Sequence, residues 1–162
     1  GAPVYVPAKG GGLLTLDQVP ERPHLWLCAT GTGIGPFISL LRTETIWQQF
    51  EKVVVCYATK TFEGMAYFDE LTELVNLHSE QFLFAPFTTR DSCEQTINDR
   101  FTNLLASGKL EQRLLPISPD DSHFMLCGNS AMIDDMTQLL EAKDLVRHSR
   151  MKPGHIAIEK YF

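Results

Sequence analysis

Three glycines lie close together between two apolar segments near the start of the chain. Gly31, Gly33 and Gly35 fall within five residues of "LWLCATGTGIGPFISLL", residues 25–41. Glycine weakens helices and strands, so a cluster of this kind indicates a place where bare backbone is needed. Backbone N–H groups at a strand-to-helix turn can bind an anion, and glycine lets a phosphate group approach them closely. The alternative is a tight turn without a ligand.

The residues around these glycines also suit a phosphate. Thr30 and Thr32 can donate hydroxyl hydrogen bonds, and Pro36 is typical of the first turn of a helix. The spacing G-x-G-x-G-P differs from the dinucleotide fingerprint G-x-G-x-x-G, and no Lys-Ser or Lys-Thr pair follows it as in a P-loop. We therefore expect a phosphate cradle formed by Thr30, Gly31, Thr32, Gly33, Ile34, Gly35 and Pro36.

Cations follow the second and third apolar segments. The dinucleotide fingerprint places an acidic residue near the end of the second strand, whereas "CYATKT" has Lys60 there. Arg90 follows the third segment in "TTRDSCEQTINDRF", and Arg100 lies ten residues later. Two guanidinium groups near one edge can bind a phosphomonoester through charge-assisted hydrogen bonds. The alternatives are a solvated lysine and surface ion pairs of the arginines with Asp91, Glu94 or Asp99.

Two further groups of residues come later in the chain. "LCGN" follows the fourth apolar segment, and there Gly128 would permit the close approach of a flat ring beside Cys127. The alternative is a turn in which Asn129 caps the next helix. Tyr161 and Phe162 end the sequence, and their rings could stack on a planar cofactor or pack into the domain's own core.

The apolar pattern predicts the elements that would position these residues. Uninterrupted apolar segments indicate strands buried on both faces, which is typical of a parallel sheet. Strands are expected at 24–29, 52–58, 81–87, 122–128 and 154–162, and helices at 36–47, 65–78, 97–110 and 130–145. This alternation predicts an α/β fold, a doubly wound three-layer sandwich with a five-stranded parallel sheet. The candidate residues follow the strands directly, so they should lie at one edge of the sheet.

Composition excludes several classes of function. The 162 residues carry a net charge of −6, which argues against a nucleic-acid partner, and no apolar segment is long enough to insert into a membrane. The four cysteines and five histidines lack metal-site spacing, so we expect no metal and free buried thiols. The sequence also shows no signal-peptide pattern, so we expect a cytoplasmic protein, and we expect it to be a monomer. Residues 1–20 contain short strand-like pieces at 4–6 and 13–16, typical of antiparallel β structure or a linker. Residues 147–155 form a basic patch, either a solvated loop or a docking surface for an acidic partner.

In this order, the segments resemble the NADP-binding domain of bacterial-type ferredoxin–NADP reductases. "LWLCATGTGIGPF" is similar to the family's pyrophosphate loop, and "HFMLCGNSAMIDDM" to its fourth strand and following helix. "KPGHIAIEKYF" is similar to its C-terminus, and "TTR" with "NDR" to the arginines that bind a 2′-phosphate. The resemblance extends over nearly the whole chain. One departure is Lys60, where relatives often carry arginine.

The resemblance implies a flavin-dependent reductase. NADPH would pass a hydride to FAD, and the flavin would exchange single electrons with ferredoxin or flavodoxin. Cys127, Glu159 and Tyr161 would be the catalytic residues. Cys127 would lie beside the nicotinamide near Glu159, with Asn129 at the cofactor, and Tyr161 and Phe162 would cover part of the FAD. The family's flavin barrel is absent, so residues 1–20 would be its remnant or a linker and residues 21–162 the NADP(H)-binding domain. We expect this chain alone to be inactive.

Two other functions remain open from the sequence. One is an NADH-linked reductase module of an oxygenase or flavohaemoglobin, against which the pair Arg90 and Arg100 argues. The other is a non-catalytic, regulatory nucleotide-binding module.

Overall fold

A computed structural model describes residues 1–3 and 12–161. Within these residues, five parallel strands form one sheet in the order β3-β2-β1-β4-β5. The strands are β1 His24–Thr30, β2 Lys52–Thr59, β3 Phe82–Thr88, β4 Ser122–Gly128 and β5 Ile156–Lys160. The predicted five-stranded parallel sheet is confirmed. The chain builds the sheet outward from β1 to β3 and then returns to the other side of β1, so the loops after β1 and β4 diverge at their common edge.

Helices cover both faces of the sheet, as the sequence predicts. The helices are α1 Ile34–Leu41, α2 Glu44–Gln49, α3 Phe68–Leu77, α4 Phe101–Ala106, α5 Lys109–Arg113 and α6 Ser130–Glu141. One buried cluster joins α1, α2 and α3 to one face, and a second joins α4, α5 and α6 to the other. In the second cluster, Trp26 stacks on Phe124 with ring centroids 5.1 Å apart. The three-layer doubly wound sandwich is therefore confirmed.

Three details differ from the sequence-based expectation. The helix expected at 36–47 begins at Ile34 and is split, because Thr43 adopts an extended conformation and its hydroxyl donates to the carbonyl of Leu40. The helix expected at 97–110 begins at Phe101 and is followed by Gly108 with φ +78°, the left-handed conformation expected of a glycine after a helix. The strand-like piece expected at residues 13–16 forms no strand.

Residues 13–16 are apolar because they cover the core. Leu14 and Leu16 are buried against the α1 side of the sheet, and Leu16–Gln18 is a short 3₁₀ helix. The strand-like pattern of residues 13–16 therefore indicated strand pairing wrongly, because these apolar residues are buried without pairing. The strand-like piece at 4–6 lies outside the described residues. No helix within residues 1–3 and 12–161 has both the length and the apolar character needed to cross a membrane.

All four cysteines lie in the described part of the chain and are free thiols, as expected. Cys28, Cys56 and Cys127 are buried, whereas Cys93 is only half-buried.

Histidines cluster at the edge of the sheet where the strands begin, opposite the candidate residues. His123 is fully buried, and its ring meets that of His148 edge-on with centroids 5.4 Å apart. The backbone N–H of Val146 donates to Nδ1 of His155, and that of Gly154 donates to Nδ1 of His148. Both nitrogens must be unprotonated to accept these bonds, so the segment before β5 depends on neutral imidazoles.

We expect the fold to lose stability in mild acid. Burial, reinforced by His148 and Arg22, lowers the pKa of His123 to about 3. The unfolded chain binds this proton below about pH 6.5 and the folded chain does not, so the free energy of unfolding decreases as the pH falls from 6.5 toward 3. At pH 5, His123 alone should lower it by about 2 kcal/mol.

Urea denaturation at several pH values measures this dependence. His123→Leu should reduce the slope of the free energy of unfolding against pH by the equivalent of about one bound proton between pH 6 and 4. Equal slopes for the variant and the wild type would contradict the assignment.

Candidate functional site

The carboxyl ends of the strands border a cleft of about 520 Å³. Six residues predicted from the sequence line it, namely Thr30, Gly31, Lys60, Arg90, Arg100 and Asn129. The remaining lining residues are Ala58, Thr59, Thr61, Gly64, Thr89, Phe101, Thr102, Met132 and Asp135. The structure thus brings together segments from four strand ends, as the parallel sheet predicts.

The three glycines of the first turn have different structural roles. Gly31 opens a short 3₁₀ helix, Gly31–Gly33, with φ +54°, a left-handed value that favours glycine. A methyl group at Gly33 would lie 2.6 Å from the carbonyl carbon of Cys127, so this glycine lets the turn pack directly on β4. A methyl group at Gly35 would meet nothing within 4 Å. Backbone conformation therefore accounts for Gly31 and packing on β4 accounts for Gly33, whereas the space beside Gly35 is open.

Other predicted cradle residues have different surroundings. Thr32 is exposed in the turn, Ile34 is buried in the core, and Pro36 lies in the first turn of α1. None of these three, nor Gly33 or Gly35, lines the 520 Å³ cleft.

A hydrogen bond joins the turns that follow β1 and β4. The backbone N–H of Asn129 donates to Oγ1 of Thr30 over 2.9 Å. The Asn129 side chain accepts from the backbone N–H of Met132, so Asn129 is the N-cap of α6, as considered from the sequence. Gly128 has φ +136°, and a methyl group there would lie 2.8 Å from the carbonyl oxygen of Thr30. The packing of Thr30 is thus sufficient reason for this glycine.

Lys60, Arg90 and Arg100 are all exposed and form no ion pair with any residue in the described ranges. The surface ion pairs considered from the sequence are not formed. Asp91 accepts instead from the backbone N–H of Phe62, and Asp99 from the backbone N–H of Arg100. The cleft is therefore bordered by three uncompensated positive charges, and one carboxylate, Asp135, also lines it.

Asp99 is engaged locally at the start of α4. Its Oδ1 accepts from the side-chain amide of Asn103 over 2.7 Å as well as from the N–H of Arg100. These hydrogen bonds, that of Asn103 first, lower the pKa of Asp99 below its ordinary value. The carboxylate thus fixes the helix start that bears Arg100 without binding its guanidinium.

A second group of predicted residues lies apart from this cleft, at the ends of β4 and β5. Cys127 is opposite Glu159 in the strand register, and the backbone N–H of Tyr161 donates to the carbonyl of Gly128 over 3.0 Å. Tyr161 is 45% exposed, so the domain covers this side chain only in part. Phe162 lies outside the described residues.

Burial determines the protonation of this second group. Removal from water raises the pKa of Cys127 to about 11, although a hydrogen bond with the Tyr161 side chain acts in the opposite direction. Burial, together with Cys127 and Glu159, raises the pKa of Tyr161 to about 12. At neutral pH both groups are therefore protonated, and Cys127 is a poor nucleophile because only the thiolate attacks.

Sequence reasoning missed the loop between β2 and α3. Thr61 and Gly64 line the cleft, and the Thr59 hydroxyl donates to the carbonyl of Thr61 over 2.7 Å. These residues follow the carboxyl end of β2, and this position could have indicated that they lie at the cleft. No group of three or more His, Cys, Asp or Glu side chains in residues 1–3 and 12–161 is arranged to hold a metal ion.

Comparison with known proteins identifies the family. Residues 27–138 match the oxidoreductase NAD-binding domain. This chain belongs to that family. The match begins within β1 and ends within α6, and it includes the turn of glycines and the three cations of the cleft.

Curated relatives are reductases. The chain is 32% identical over 161 residues to the flavodoxin/ferredoxin–NADP reductase of Buchnera aphidicola subsp. Baizongia pistaciae. The aligned region covers 98% of this chain and 65% of the relative. The chain is also 34% identical to the ferredoxin–NADP reductase of Azotobacter vinelandii, covering 94% of this chain and 62% of the relative. The chain therefore spans slightly less than two thirds of their length.

A solved structure shows the same fold. The crystal structure of a ferredoxin NADP+ reductase from Neisseria gonorrhoeae with bound FAD and NADP is 31% identical and has a TM-score of 0.86. The similarity covers 94% of this chain and 61% of that one.

The roles of the glycines predict different effects of the same substitution. Gly33→Ala should lower the free energy of unfolding by about 1–3 kcal/mol, because its methyl group would overlap the backbone of β4. Gly35→Ala should leave stability unchanged or raise it by about 0.5–1 kcal/mol, since alanine is the better helix former and the space is open. Urea denaturation of both variants measures the difference, and equal losses would contradict the packing role of Gly33.

Proposed function

We propose that this chain is the NADP(H)-binding part of a ferredoxin or flavodoxin–NADP(+) reductase. The observation that carries the proposal is the set of three exposed cations, Lys60, Arg90 and Arg100, which border the cleft without ion-pair partners among the described residues. The chain has a net charge of −6, so three uncompensated positive charges at one cleft favour an anionic ligand. The names of its relatives support the same conclusion.

In this proposal the turn after β1 binds the pyrophosphate of NADP(H). The N-terminus of α1 and the backbone N–H groups of the turn favour an anion, and the open space at Gly35 permits its approach. The oxygen of the Thr30 hydroxyl accepts from Asn129, so its hydrogen is left to donate to the ligand. Thr32, Gly33, Ile34 and Pro36 shape this turn.

The three cations would bind the 2′-phosphate. Arg90 and Arg100 offer planar pairs of donors, whereas Lys60 adds a point charge. The nicotinamide would then lie toward Thr30, Cys127, Gly128 and Asn129, where the turns after β1 and β4 meet.

When bound, NADPH supplies a hydride to FAD, and the flavin passes single electrons to the protein partner. The residues of this chain orient the dinucleotide and limit its motion. The neutral thiol of Cys127 and the neutral phenol of Tyr161 add no charge beside the nicotinamide. Glu159 is opposite Cys127 in the strand register. Tyr161 presents a half-exposed ring that fits against a flavin, and Phe162 would extend this surface.

FAD would be held mainly by a segment of the relatives that this chain does not span. We therefore infer that residues 21–162 are the NADP(H)-binding domain, that residues 1–20 connect it to a flavin barrel, and that the chain alone is inactive as a reductase. We also infer that it is a monomer.

The double variant Arg90→Ala with Arg100→Ala should change cofactor preference. We expect NADP+ binding to weaken by roughly 100-fold or more, because two charge-assisted hydrogen-bond partners of the 2′-phosphate are removed. NAD+ lacks this phosphate, so its affinity should change by less than about threefold. Isothermal titration of both dinucleotides with the purified chain measures the two affinities.

A matched control is Arg113→Ala with Lys109→Ala, which removes two exposed cations on α5 that do not line the cleft. This control should leave both affinities unchanged. Wild-type affinities that are equal for NADP+ and NAD+ would favour the NADH-linked alternative, and no binding of either would favour a different function.

The basic loop before β5 is the surface that we propose for the acidic electron-transfer partner. Arg147, Arg150 and Lys152 are exposed there, and Met151 is 96% exposed. Arg150 also donates to the carbonyl of Gly12, which fixes the loop against the N-terminal segment. Positive charge beside an exposed apolar side chain fits an acidic protein such as ferredoxin or flavodoxin.

Charge reversal tests this surface. Arg147→Glu with Lys152→Glu should weaken ferredoxin binding by about tenfold or more at low ionic strength, with a smaller effect in high salt because exposed charges are screened. Arg113→Glu with Lys109→Glu makes the same charge change elsewhere and is the control. Equal weakening by both pairs would indicate a general charge effect and remove the loop from the proposal.

A further inference from the structure

The loops that bear the cations of the cleft are bonded to each other directly. Beyond the ends of β2 and β3, the backbone N–H of Thr89 donates to the carbonyl of Thr59 over 3.1 Å. The backbone N–H of Arg90 donates to the carbonyl of Lys60 over 2.9 Å. The backbones of Lys60 and Arg90 are therefore fixed side by side before any ligand binds.

Asp91 holds the same two loops together through its side chain. Its Oδ2 accepts from the backbone N–H of Phe62 over 3.0 Å, across 29 residues of sequence. Its Oδ1 is buried and has no hydrogen-bond partner among the residues described. A half-buried carboxylate that directly follows Arg90 would gain by binding that guanidinium, yet it is turned toward the opposite loop.

The backbone carbonyl of Asp91 connects this junction to the start of α4. It accepts from the Thr88 hydroxyl over 2.9 Å and from the side-chain amide of Asn98, which also donates to the carbonyl of Thr88. Asn98 is two residues before Arg100. The segment 88–98 is thereby closed into a compact loop with Arg90 near one end and Arg100 just beyond the other.

The hydroxyl protons in this loop have only one consistent arrangement. A carbonyl only accepts, so Thr88 must donate its single proton to Asp91. The Thr96 hydroxyl, 2.7 Å from that of Thr88, must then donate to Thr88, and the Cys93 thiol, 3.2 Å from Thr96, must donate to Thr96. The donor chain Cys93–Thr96–Thr88 ends on the carbonyl of Asp91.

We propose that Asp91 is a positioning residue that sets the spacing of Lys60, Arg90 and Arg100 and thereby determines the preference for a 2′-phosphorylated ribose. The inference rests on the proposed function. The Phe62 N–H keeps the carboxylate of Asp91 away from the guanidinium of Arg90, so the positive charges remain free for a phosphate. Without this bond only the backbone hydrogen bonds of Thr89 and Arg90 join the β2–α3 loop to the Arg90 loop, and the spacing of the cations is less closely fixed.

The test compares two small ligands on the purified chain. Adenosine 2′,5′-bisphosphate carries the 2′-phosphate and AMP lacks it, so the ratio of their affinities by isothermal titration reports the phosphate contact alone. Asp91→Ala should reduce this ratio by about tenfold, mainly through weaker binding of the bisphosphate. Asp91→Asn retains an oxygen that accepts from Phe62 and should keep the ratio within about threefold of the wild type.

Glu94→Ala is the matched control for charge. Glu94 is an exposed acid of the same loop without a hydrogen bond or ion pair in the described residues. Its removal should leave the ratio unchanged or raise it slightly, because a negative charge near the cations is lost. Asn98→Ala, which removes the amide bonds to the carbonyls of Thr88 and Asp91, should lower the ratio and serves if Asp91→Ala does not fold.

The outcomes separate the inference from the function on which it rests. A wild-type chain that binds the two ligands equally overturns the proposed function. A wild-type preference that survives in Asp91→Ala, or in Asn98→Ala if Asp91→Ala does not fold, overturns the role of Asp91. A loss of preference in Asp91→Asn equal to that in Asp91→Ala also overturns it, because the hydrogen bond to Phe62 would then not be the cause.

Discussion

The close contact between the turn after β1 and the turn after β4 is the constraint on which the remaining structure depends. Gly33 packs on the Cys127–Gly128 peptide, Gly128 leaves room for Thr30, and Thr30 accepts from Asn129. These contacts join the starts of α1 and α6, which leave the sheet on opposite faces. The N-terminal end of α1 is thus held at a fixed place on the sheet edge, at the point where the direction of strand addition reverses.

Positive charge at this edge is organised by backbone and neutral hydrogen bonds rather than by ion pairs. Two of the acids close to the arginines in sequence accept from main-chain N–H groups, Asp91 from Phe62 and Asp99 from Arg100. The carboxylates therefore build the loops without neutralising the guanidiniums. In the free protein the cations around the cleft repel one another. An anion that binds between them removes this repulsion, so the clustered charges favour anion binding.

Several sequence-based expectations were confirmed because they rest on short-range physics. Uninterrupted apolar segments predicted the strands, and Asn129 predicted a helix start. Others were wrong because burial has several causes. Leu14 and Leu16 are apolar to cover the core rather than to form a strand, and Thr43 interrupts a helix whose apolar pattern continues. The packing of Thr30 requires a glycine at 128, and the predicted approach of a flat ring there stays a prediction.

The sequence by itself determined the sheet, its helices and the set of residues at the carboxyl ends of the strands, since periodicity and parallel topology require them to meet there. Only the tertiary structure decided which of them border one cleft. It placed Lys60, Arg90 and Arg100 around that cleft and Cys127, Glu159 and Tyr161 at another part of the edge. It also decided that Asp91 binds Phe62 instead of its neighbour Arg90. Such choices depend on hydrogen bonds between residues far apart in the chain, which local sequence patterns do not predict.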